Sequence, residues 1–424
     1  MINMIRFYNG HTLRFEGGAH LTSDEVWVDG KNIVYVGPSK AEQPAFERQI
    51  DLKGDVLMPG LKNAHTHTAM TFLRTIAENL NLHDWLYNEI FPREAKLTDD
   101  GVYWATKLGI LEYLSSGVTA SFDMYFHNDH YALANVESGF RTVITSAMNN
   151  FDADPENIER EFIKFNRYDE LIGYRIGLHA EYTTSLERIE YMCSLAEKHK
   201  APCYIHLCET KSETEGCIER YGMTPAKFLD SLGFFKYGGG GFHCVWLNDE
   251  DIELFAKKGL WAVTCPASNL KLASGIAPIE KMSAAGVRIA LGTDGASSNN
   301  ALDMFREMYL VSVLQKYLND DASACQAEKV LEMACVNGAR VMGLDDCDDI
   351  AEGKKADLIV LDMNKPNMQP VNNIISNIVY SGGKENVRLT MINGKVLYEN
   401  GEYFIGEDVE TIYRSTQKFV DSVR

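Results

Sequence analysis

The amino-acid sequence predicts an α/β fold: a (β/α)₈ TIM barrel with a small β-sandwich domain built from both chain ends. Strand-like and helical stretches alternate eight times through the middle of the 424-residue chain, while both ends contain mainly short strand-like stretches. Strand-then-helix repetition favours a parallel sheet, and eight units in about 290 residues match the size of such a barrel. We therefore assign residues 58–349 to the barrel and residues 1–57 plus 350–424 to the sandwich.

Each chain end carries a hairpin signal. Asp29-Gly30 and Asn393-Gly394 each lie between two strand-like runs, and such dipeptides are typical of two-residue β turns. Neither end is long enough to close a β core by itself. We therefore expect the two ends to join in one domain, with the barrel inserted between them.

The barrel strands are predicted from apolar runs, and helical stretches such as 101–115, 185–199 and 249–258 separate most of them. The eight predicted strands are residues 56–67, 118–124, 141–148, 175–179, 203–208, 241–245, 260–264 and 287–292. The rival fold is a doubly wound open sheet, which is expected to carry a glycine-rich phosphate turn after its first strand. Residues 63–67 read Asn-Ala-His-Thr-His instead, which favours the barrel.

The composition excludes several classes of protein. There are 41 basic and 60 acidic residues, a net charge of −19, and such a surface repels nucleic-acid phosphates. No apolar run reaches the roughly 18 residues of a membrane span, and no signal peptide is visible. Nine cysteines without a C-x-x-C motif suit reduced thiols. We expect a soluble cytoplasmic protein that binds neither nucleic acid nor a membrane; a homodimer or higher homo-oligomer stays open.

Five residues that could carry chemistry fall at the carboxyl ends of predicted strands: His65, His67, His206, His243 and Asp294. In a barrel these ends meet at one mouth, where active sites lie. His65 and His67 are two residues apart on extended backbone, so both imidazoles point to the same side. Histidine nitrogens from two strands and one carboxylate make a mononuclear site suited to Zn²⁺, with a position left for water.

Glu209 follows His206 by three residues, where the fifth strand turns into a loop. A single loop glutamate is usually solvated. Beside a metal, however, a hydrolytic site needs a proton carrier within reach of both the water and the substrate. We therefore interpret Glu209 as a catalytic acid.

Several motifs together resemble one known family. They are Met58-Pro59-Gly60-Leu61-Lys62-Asn63-Ala64-His65-Thr66-His67, Trp85-Leu86, His206-Leu207-Cys208-Glu209-Thr210, Pro266-Ala267-Ser268-Asn269 and Leu291-Gly292-Thr293-Asp294-Gly295. This set resembles the amidohydrolase superfamily over essentially the whole chain. Within that superfamily it is most similar to the methylthioadenosine/S-adenosylhomocysteine deaminases and their triazine-hydrolase relatives.

The resemblance implies a role for each matching residue. It implies metal ligands at His65, His67, His206 and Asp294, catalytic residues at Glu209, His243 and Asp294, and substrate contacts at Trp85 and His179. It further implies one divalent metal, since residues 173–179 contain no bridging lysine; Zn²⁺ is expected and Fe²⁺ is the alternative. A packed aromatic and a core histidine are the plainer interpretations of Trp85 and His179.

The chain departs from this group at two substrate-binding positions. His83 stands where the group has a ribose-binding glutamate, and Ser146 stands in the segment where it has an arginine. We therefore predict hydrolytic deamination of an adenosine-type nucleoside or of an aminated purine or pyrimidine base. A triazine-type chlorohydrolase or a cyclic amidohydrolase is the alternative, and a non-enzymatic structural oligomer is a third hypothesis.

Overall fold

The strands of the computed structural model, which describes residues 4–150 and 155–423, belong to a barrel and a two-sheet sandwich. Seven strands precede the barrel: β1 (Met4–Tyr8), β2 (His11–Arg14), β3 (His20–Thr22), β4 (Glu25–Asp29), β5 (Asn32–Gly37), β6 (Arg48–Asp51) and β7 (Val56–Pro59). The barrel strands are β8 (Leu61–Thr66), β9 (Val118–Met124), β10 (Arg141–Thr145), β11 (Ile172–Ala180), β12 (Cys203–Leu207), β13 (Gly239–His243), β14 (Trp261–Thr264) and β15 (Arg288–Leu291). Four strands follow: β16 (Leu358–Leu361), β17 (Val387–Ile392), β18 (Lys395–Glu399) and β19 (Glu402–Tyr403).

The helices of the described residues alternate with the barrel strands. In chain order they are α1 (Leu82–Asp84), α2 (Phe91–Glu94), α3 (Asp99–Ser115), α4 (Asn128–Ser138), α5 (Asn157–Phe165), α6 (Leu186–His199), α7 (Lys211–Tyr221), α8 (Pro225–Ser231), α9 (Asp249–Lys258), α10 (Pro266–Lys271), α11 (Ile279–Ala284), α12 (Met304–Leu318), α13 (Ala327–Glu332), α14 (Gly338–Met342), α15 (Ile374–Tyr380) and α16 (Val409–Val423). A capping box between Asn248 and Asp251 starts α9, and Gly259 ends it with a φ of 61°, which a helix C-terminus favours. No helix of residues 4–150 and 155–423 is long and apolar enough to span a bilayer.

The eight barrel strands are parallel and follow one another in sequence order, from β8 to β15. The last strand returns to the first, because the amides of Thr293 and Asp294 donate to the carbonyl of His65 at 3.1 and 2.9 Å. The rings of Phe122, Tyr204 and Phe242 contact one another inside the barrel. Packed side chains therefore fill the barrel below its mouth, as is usual for this fold, and the predicted fold class is confirmed.

Strands from both chain ends share one sheet of the sandwich. The smaller sheet has the order β5-β4-β1-β6, and the larger has β19-β18-β17-β16-β7-β2-β3. β7 pairs antiparallel with β16, which brings the two ends together. Apolar side chains of both sheets, such as Phe7 and Val26 on one and Leu358 and Met391 on the other, form a common core. The domain boundaries at 57/58 and 349/350 stay a prediction.

The predicted first barrel strand, residues 56–67, is divided in the structure. Residues 56–59 form β7 of the sandwich, and β8 of the barrel begins at Leu61. Gly60 joins them where a Cβ atom would lie 2.1 Å from Thr119 Cγ2. The chain can change sheets here because glycine permits this close approach.

Several contacts connect the sandwich side of the chain to the barrel, and two of them lie at distant places. The buried guanidinium of Arg141, at the start of β10, pairs with Asp357 with an Nε–Oδ2 distance of 2.6 Å. The C-terminal helix α16 packs against α3, where Thr416 Oγ1 donates to the carbonyl of Trp104 at 3.1 Å. A buried ion pair whose partners lie in the two parts fixes their relative position, since neither charge can be left alone in the interior.

Candidate metal and catalytic site

The four predicted metal ligands meet at the mouth of the barrel. Asp294 Oδ1 lies 3.2 Å from His67 Nε2 and 3.6 Å from His65 Nε2. His206 Nε2 lies 3.3 Å from His67 Nε2. Three imidazole nitrogens and a carboxylate oxygen therefore face one small volume, the donor set of a mononuclear Zn²⁺ site.

Backbone carbonyls orient two of these histidines. His67 Nδ1 donates to the carbonyl of Met124 at 2.5 Å, and His206 Nδ1 donates to the carbonyl of His179 at 2.7 Å. With Nδ1 donating in each ring, Nε2 is the nitrogen that points to the shared volume and would bind the metal. Such outer contacts fix the tautomer and the ring orientation of metal ligands.

Two serine hydroxyls orient the carboxylate of Asp294. Its Oδ2 accepts hydrogen bonds from Ser268 Oγ at 2.6 Å and from Ser298 Oγ at 2.7 Å, so that Oδ1 turns toward the histidines. Its backbone has a φ of 63°, which few residues other than glycine adopt. Burial alone raises the pKa of a carboxyl, but the hydrogen bond and the charge of His67 hold the pKa of Asp294 well below its usual range.

His65 provides a test of whether a metal fits. It is fully buried and stacks on Phe242, yet neither of its ring nitrogens has a hydrogen-bond partner among residues 4–150 and 155–423. Burial holds the pKa of His65 and that of His206 well below 6.5, so both rings stay neutral, the form that binds metals. A buried lone pair needs a partner, and a divalent cation supplies one.

Glu209 and His243 form a second pair beside this cluster. Glu209 Oε2 lies 3.8 Å from His243 Nε2. His243 Nδ1 donates to Asn269 Oδ1 at 2.8 Å, which turns Nε2 toward Glu209. Burial raises the pKa of Glu209, which favours the protonated acid.

Glu213 supports Glu209 and is missing from the sequence prediction. Its carboxylate accepts hydrogen bonds from the backbone amides of Cys208 and Glu209, both at 2.8 Å. Thr210 caps α7 by accepting from the amide of Glu213. A capping motif, Thr-x-x-Glu at 210–213, was therefore the sequence signal for this residue; here its glutamate reaches back to the catalytic loop.

Glu209, His243, His67, His206 and Asp294 line one cavity, the kind of concave site in which small molecules bind. Trp85 and His179 also line it, together with the apolar side chains of Leu82, Leu86, Phe91, Met124 and Phe126. His179 interacts with Thr183 Oγ1 at 3.0 Å, and burial lowers its pKa to about 4. Both predicted substrate-contacting residues thus face the space in front of the metal cluster.

The structure does not bring the other two predicted substrate residues into this cavity. His83 is 77% exposed at its side chain and lines an outer cavity, which shares Leu82, Leu86 and Tyr182 with the inner one. Ser146 Oγ donates to the carbonyl of Gly177 and accepts from its amide, at 2.9 and 2.7 Å. Ser146 therefore links β10 to β11, since a short hydroxyl at a strand end reaches the neighbouring backbone before it reaches the cavity.

Comparison with known proteins assigns the chain to a family. The profile of the amidohydrolase family matches residues 56–397. The chain belongs to the amidohydrolase family. This amidohydrolase is 39% identical over 404 residues to a 5-methylthioadenosine/S-adenosylhomocysteine deaminase of Thermococcus onnurineus, a match that covers 93% of the chain and 94% of the relative.

Solved structures of amidohydrolases share its architecture. A zinc-bound adenosine deaminase from Xanthomonas campestris superposes with a TM-score of 0.94 at 33% identity, over 100% of this chain and 98% of that one. A zinc complex of atrazine chlorohydrolase from Arthrobacter aurescens TC1 superposes with a TM-score of 0.90 at 22% identity, over 98% and 100% of the two chains. The second likeness is evidence for the fold alone.

Proposed function

We propose that this amidohydrolase is a zinc-dependent aminohydrolase that releases ammonia from an amino-substituted nitrogen heterocycle. The observation that carries the proposal is that Glu209 and His243, 3.8 Å apart, line the same cavity as His67, His206 and Asp294. The deaminase names of its relatives support this class of reaction. The likeness to the chlorohydrolase, at 22% identity, gives no equal support for dechlorination.

The reaction replaces an exocyclic C–N bond by a C–O bond. A divalent metal in this donor set supplies the acidity that lowers the pKa of water from 15.7 to about 7. Asp294 Oδ1 accepts one proton of the attacking water, and His243 Nε2 accepts a hydrogen bond that orients it. Glu209 gives its proton to the ring nitrogen beside the attacked carbon. The amino group then leaves as ammonia with the proton taken up by Asp294, and the remaining hydroxyl proton returns to Glu209 as the C=O bond forms.

Glu209→Gln tests the acid role. The amide keeps the size of the side chain but has no acidic proton to give, so kcat for ammonia release should fall roughly 10²-fold or more. Metal content by elemental analysis and thermal unfolding should stay as in the unaltered enzyme. Glu219→Gln is the matched control, because Glu219 is exposed on the following helix α7.

The substrate is best sought with a panel of S-adenosylhomocysteine, methylthioadenosine, adenosine, guanine and isocytosine, with kcat/KM measured in one buffer. Among residues 4–150 and 155–423, no lysine or arginine lines the inner cavity. Lys211 and Arg220 of the outer cavity already pair with Glu215 and Glu181. We therefore expect uncharged substrates to outperform S-adenosylhomocysteine, and its winning the panel would refute this preference.

The remaining parts of the proposal concern the setting of the enzyme. All nine cysteines are free, which supports a reducing compartment such as the cytoplasm. Metal analysis that finds one Zn²⁺ per chain would support a mononuclear site, whereas two metals at full occupancy would contradict it. A homodimer or higher oligomer is to be decided by sedimentation.

A further inference from the structure

Three polar side-chain atoms of residues that line the inner cavity lie beyond hydrogen-bond distance of any protein partner. They are Trp85 Nε1, Glu94 Oε1 and Tyr125 Oη, all buried within the described part of the chain, although the Tyr125 hydroxyl is near enough to the Glu94 carboxyl to lower its pKa. All three residues line the cavity that contains His67 and Asp294. Because buried polar atoms are rarely left unpaired, three such atoms on residues that line one cavity indicate a ligand that pairs with them.

This wall, which we name the recognition wall, consists of Trp85, Glu94 and Tyr125. Trp85 begins a π-helical turn between α1 and α2, Glu94 ends α2, and Tyr125 directly follows β9. The ring of Tyr125 lies 6.4 Å from that of His67. The recognition wall is therefore close to the metal cluster, where the reacting ring must lie, rather than in the outer cavity.

The protein itself gives the Glu94 carboxyl little compensation for its burial. Burial raises its pKa to about 7, against smaller opposing effects of the Tyr125 hydroxyl and the charge of His67. The carboxyl forms no ion pair with a lysine or arginine among the described residues. A buried carboxyl without such partners costs stability, and a site kept at such a cost is typical of ligand recognition.

We propose that the Glu94 carboxyl and the Tyr125 hydroxyl accept hydrogen bonds from N–H groups of the substrate's heterocycle, while the Trp85 indole donates to an unprotonated ring nitrogen. This inference rests on the proposed function, since the ligand it implies is a ring bearing an amino group. An amino group beside a ring nitrogen offers both kinds of partner. A chlorine or methoxy substituent offers no N–H, so the recognition wall selects aminated rings.

The N–H group has two possible sources: the amino group on the attacked carbon, or a second amino group elsewhere on the ring. Adenosine, 6-chloropurine riboside and 2,6-diaminopurine riboside separate them, because the second lacks the amino group on the attacked carbon and the third adds another. The readout is the dissociation constant of each compound, measured by calorimetry in the Glu209→Gln background. Binding does not require turnover, so the test stands even where ammonia release fails.

The variants are Glu94→Leu, which removes the acceptor at similar volume, and Tyr125→Phe, which removes only the hydroxyl. A hydrogen bond to a buried charged group justifies an expected loss of about 10- to 100-fold for Glu94→Leu. If Glu94→Leu weakens the binding of adenosine but changes that of 6-chloropurine riboside less than twofold, the N–H donor is the amino group on the attacked carbon. If Glu94→Leu weakens only the binding of 2,6-diaminopurine riboside, down to that of adenosine, the donor is a second amino group.

The melting temperature of the Glu94 variant distinguishes a role in ligand recognition from a structural role. Replacing an unpaired buried carboxyl by leucine should leave the melting temperature unchanged or raise it, whereas a structural carboxyl would lower it. Glu89→Leu is the matched control, because Glu89 lies on the same helical segment but pairs with Arg93 outside the cavity. Equal weakening of all three compounds, unchanged binding, or a lowered melting temperature without change in selectivity would overturn the inference.

Failure of the proposed function has a different signature. In that case the enzyme with Glu209 intact releases no ammonia from any aminated ring of the panel, although binding still distinguishes the Glu94 variants. Conversely, if the enzyme releases ammonia but its affinity for these compounds does not depend on Glu94, the aminohydrolase function is retained and only the recognition wall is rejected.

Discussion

On the metal side of the cavity, a hydrogen bond with the protein orients the side chains of Asp294, His67, His206 and His243, and stacking on Phe242 orients His65. The recognition wall instead has three buried polar atoms with no partner within hydrogen-bond distance in the described chain. Groups that must hold geometry during a reaction benefit from rigid support. Groups that must meet a ligand keep their hydrogen-bonding capacity free for it. The two walls therefore show how one cavity divides positioning from recognition.

The largest effect is expected where the metal side is broken. In Asp294→Asn the carboxylate is lost, so the site loses both a metal ligand and its proton acceptor. We expect metal content to fall and kcat to drop on the order of 10³-fold or more. The exposed Asp249→Asn is the control. Near-normal metal content with near-normal turnover would show that Asp294 is not part of the machinery.

A smaller effect is expected at Glu213, which holds the loop that carries Glu209. The amides of Cys208 and Glu209 donate to the two carboxylate oxygens of Glu213. Glu213→Gln presents an NH₂ group to one of these donors, so the loop that carries Glu209 should shift. We expect kcat to fall about 10-fold, with metal content and KM little changed. An unchanged kcat, measured beside Glu219→Gln, would reduce Glu213 to a helix cap.

The smallest effect concerns the support of the Asp294 loops. Buried Glu307 accepts hydrogen bonds from Ala267 and Asn299, and burial raises its pKa to about 8 from the ordinary 4.5. The folded state thus keeps a proton that the unfolded state releases near pH 4.5. The free energy of unfolding should therefore fall as the pH rises from about 4.5 to 8.

Glu307→Gln cannot lose a proton and should remove this part of the pH dependence. The fall in melting temperature between pH 5 and pH 8 should be smaller than in the parent protein, by on the order of 2 °C. Other titrating groups are common to both proteins and cancel in the difference. Identical slopes for the two proteins would mean that Glu307 is ionised in the fold throughout.

The meeting of the four candidate metal ligands could be predicted from sequence because the carboxyl ends of barrel strands lie at one mouth. His65 and His67 lie at a strand end with the period of two that puts both on one side, and His206 and Asp294 lie at other strand ends. Strand order alone then brings them together. The eight-strand pattern gave the fold for the same reason.

The recognition wall could not be predicted in this way. Glu94 lies four residues after a π-helical turn over Trp85–Ile90, and a regular helical period does not predict which face follows such a turn. Ser146 shows the opposite difficulty: its position after β10 was clear, but its hydroxyl bonds to Gly177. The direction of a side chain at a strand end depends on the backbone groups nearest to it. A single sequence does not reveal which groups these are.

The pairing of β7 with β16 has a consequence for synthesis on the ribosome. β7 lies immediately before β8, the strand that carries His65, but its partner β16 follows about 300 residues later. At 5–20 residues per second, translation of that interval takes roughly 15–60 seconds. Throughout that time β7 can pair with β2 along one edge, while its other edge stays open, and an open apolar strand edge is a site of wrong pairing.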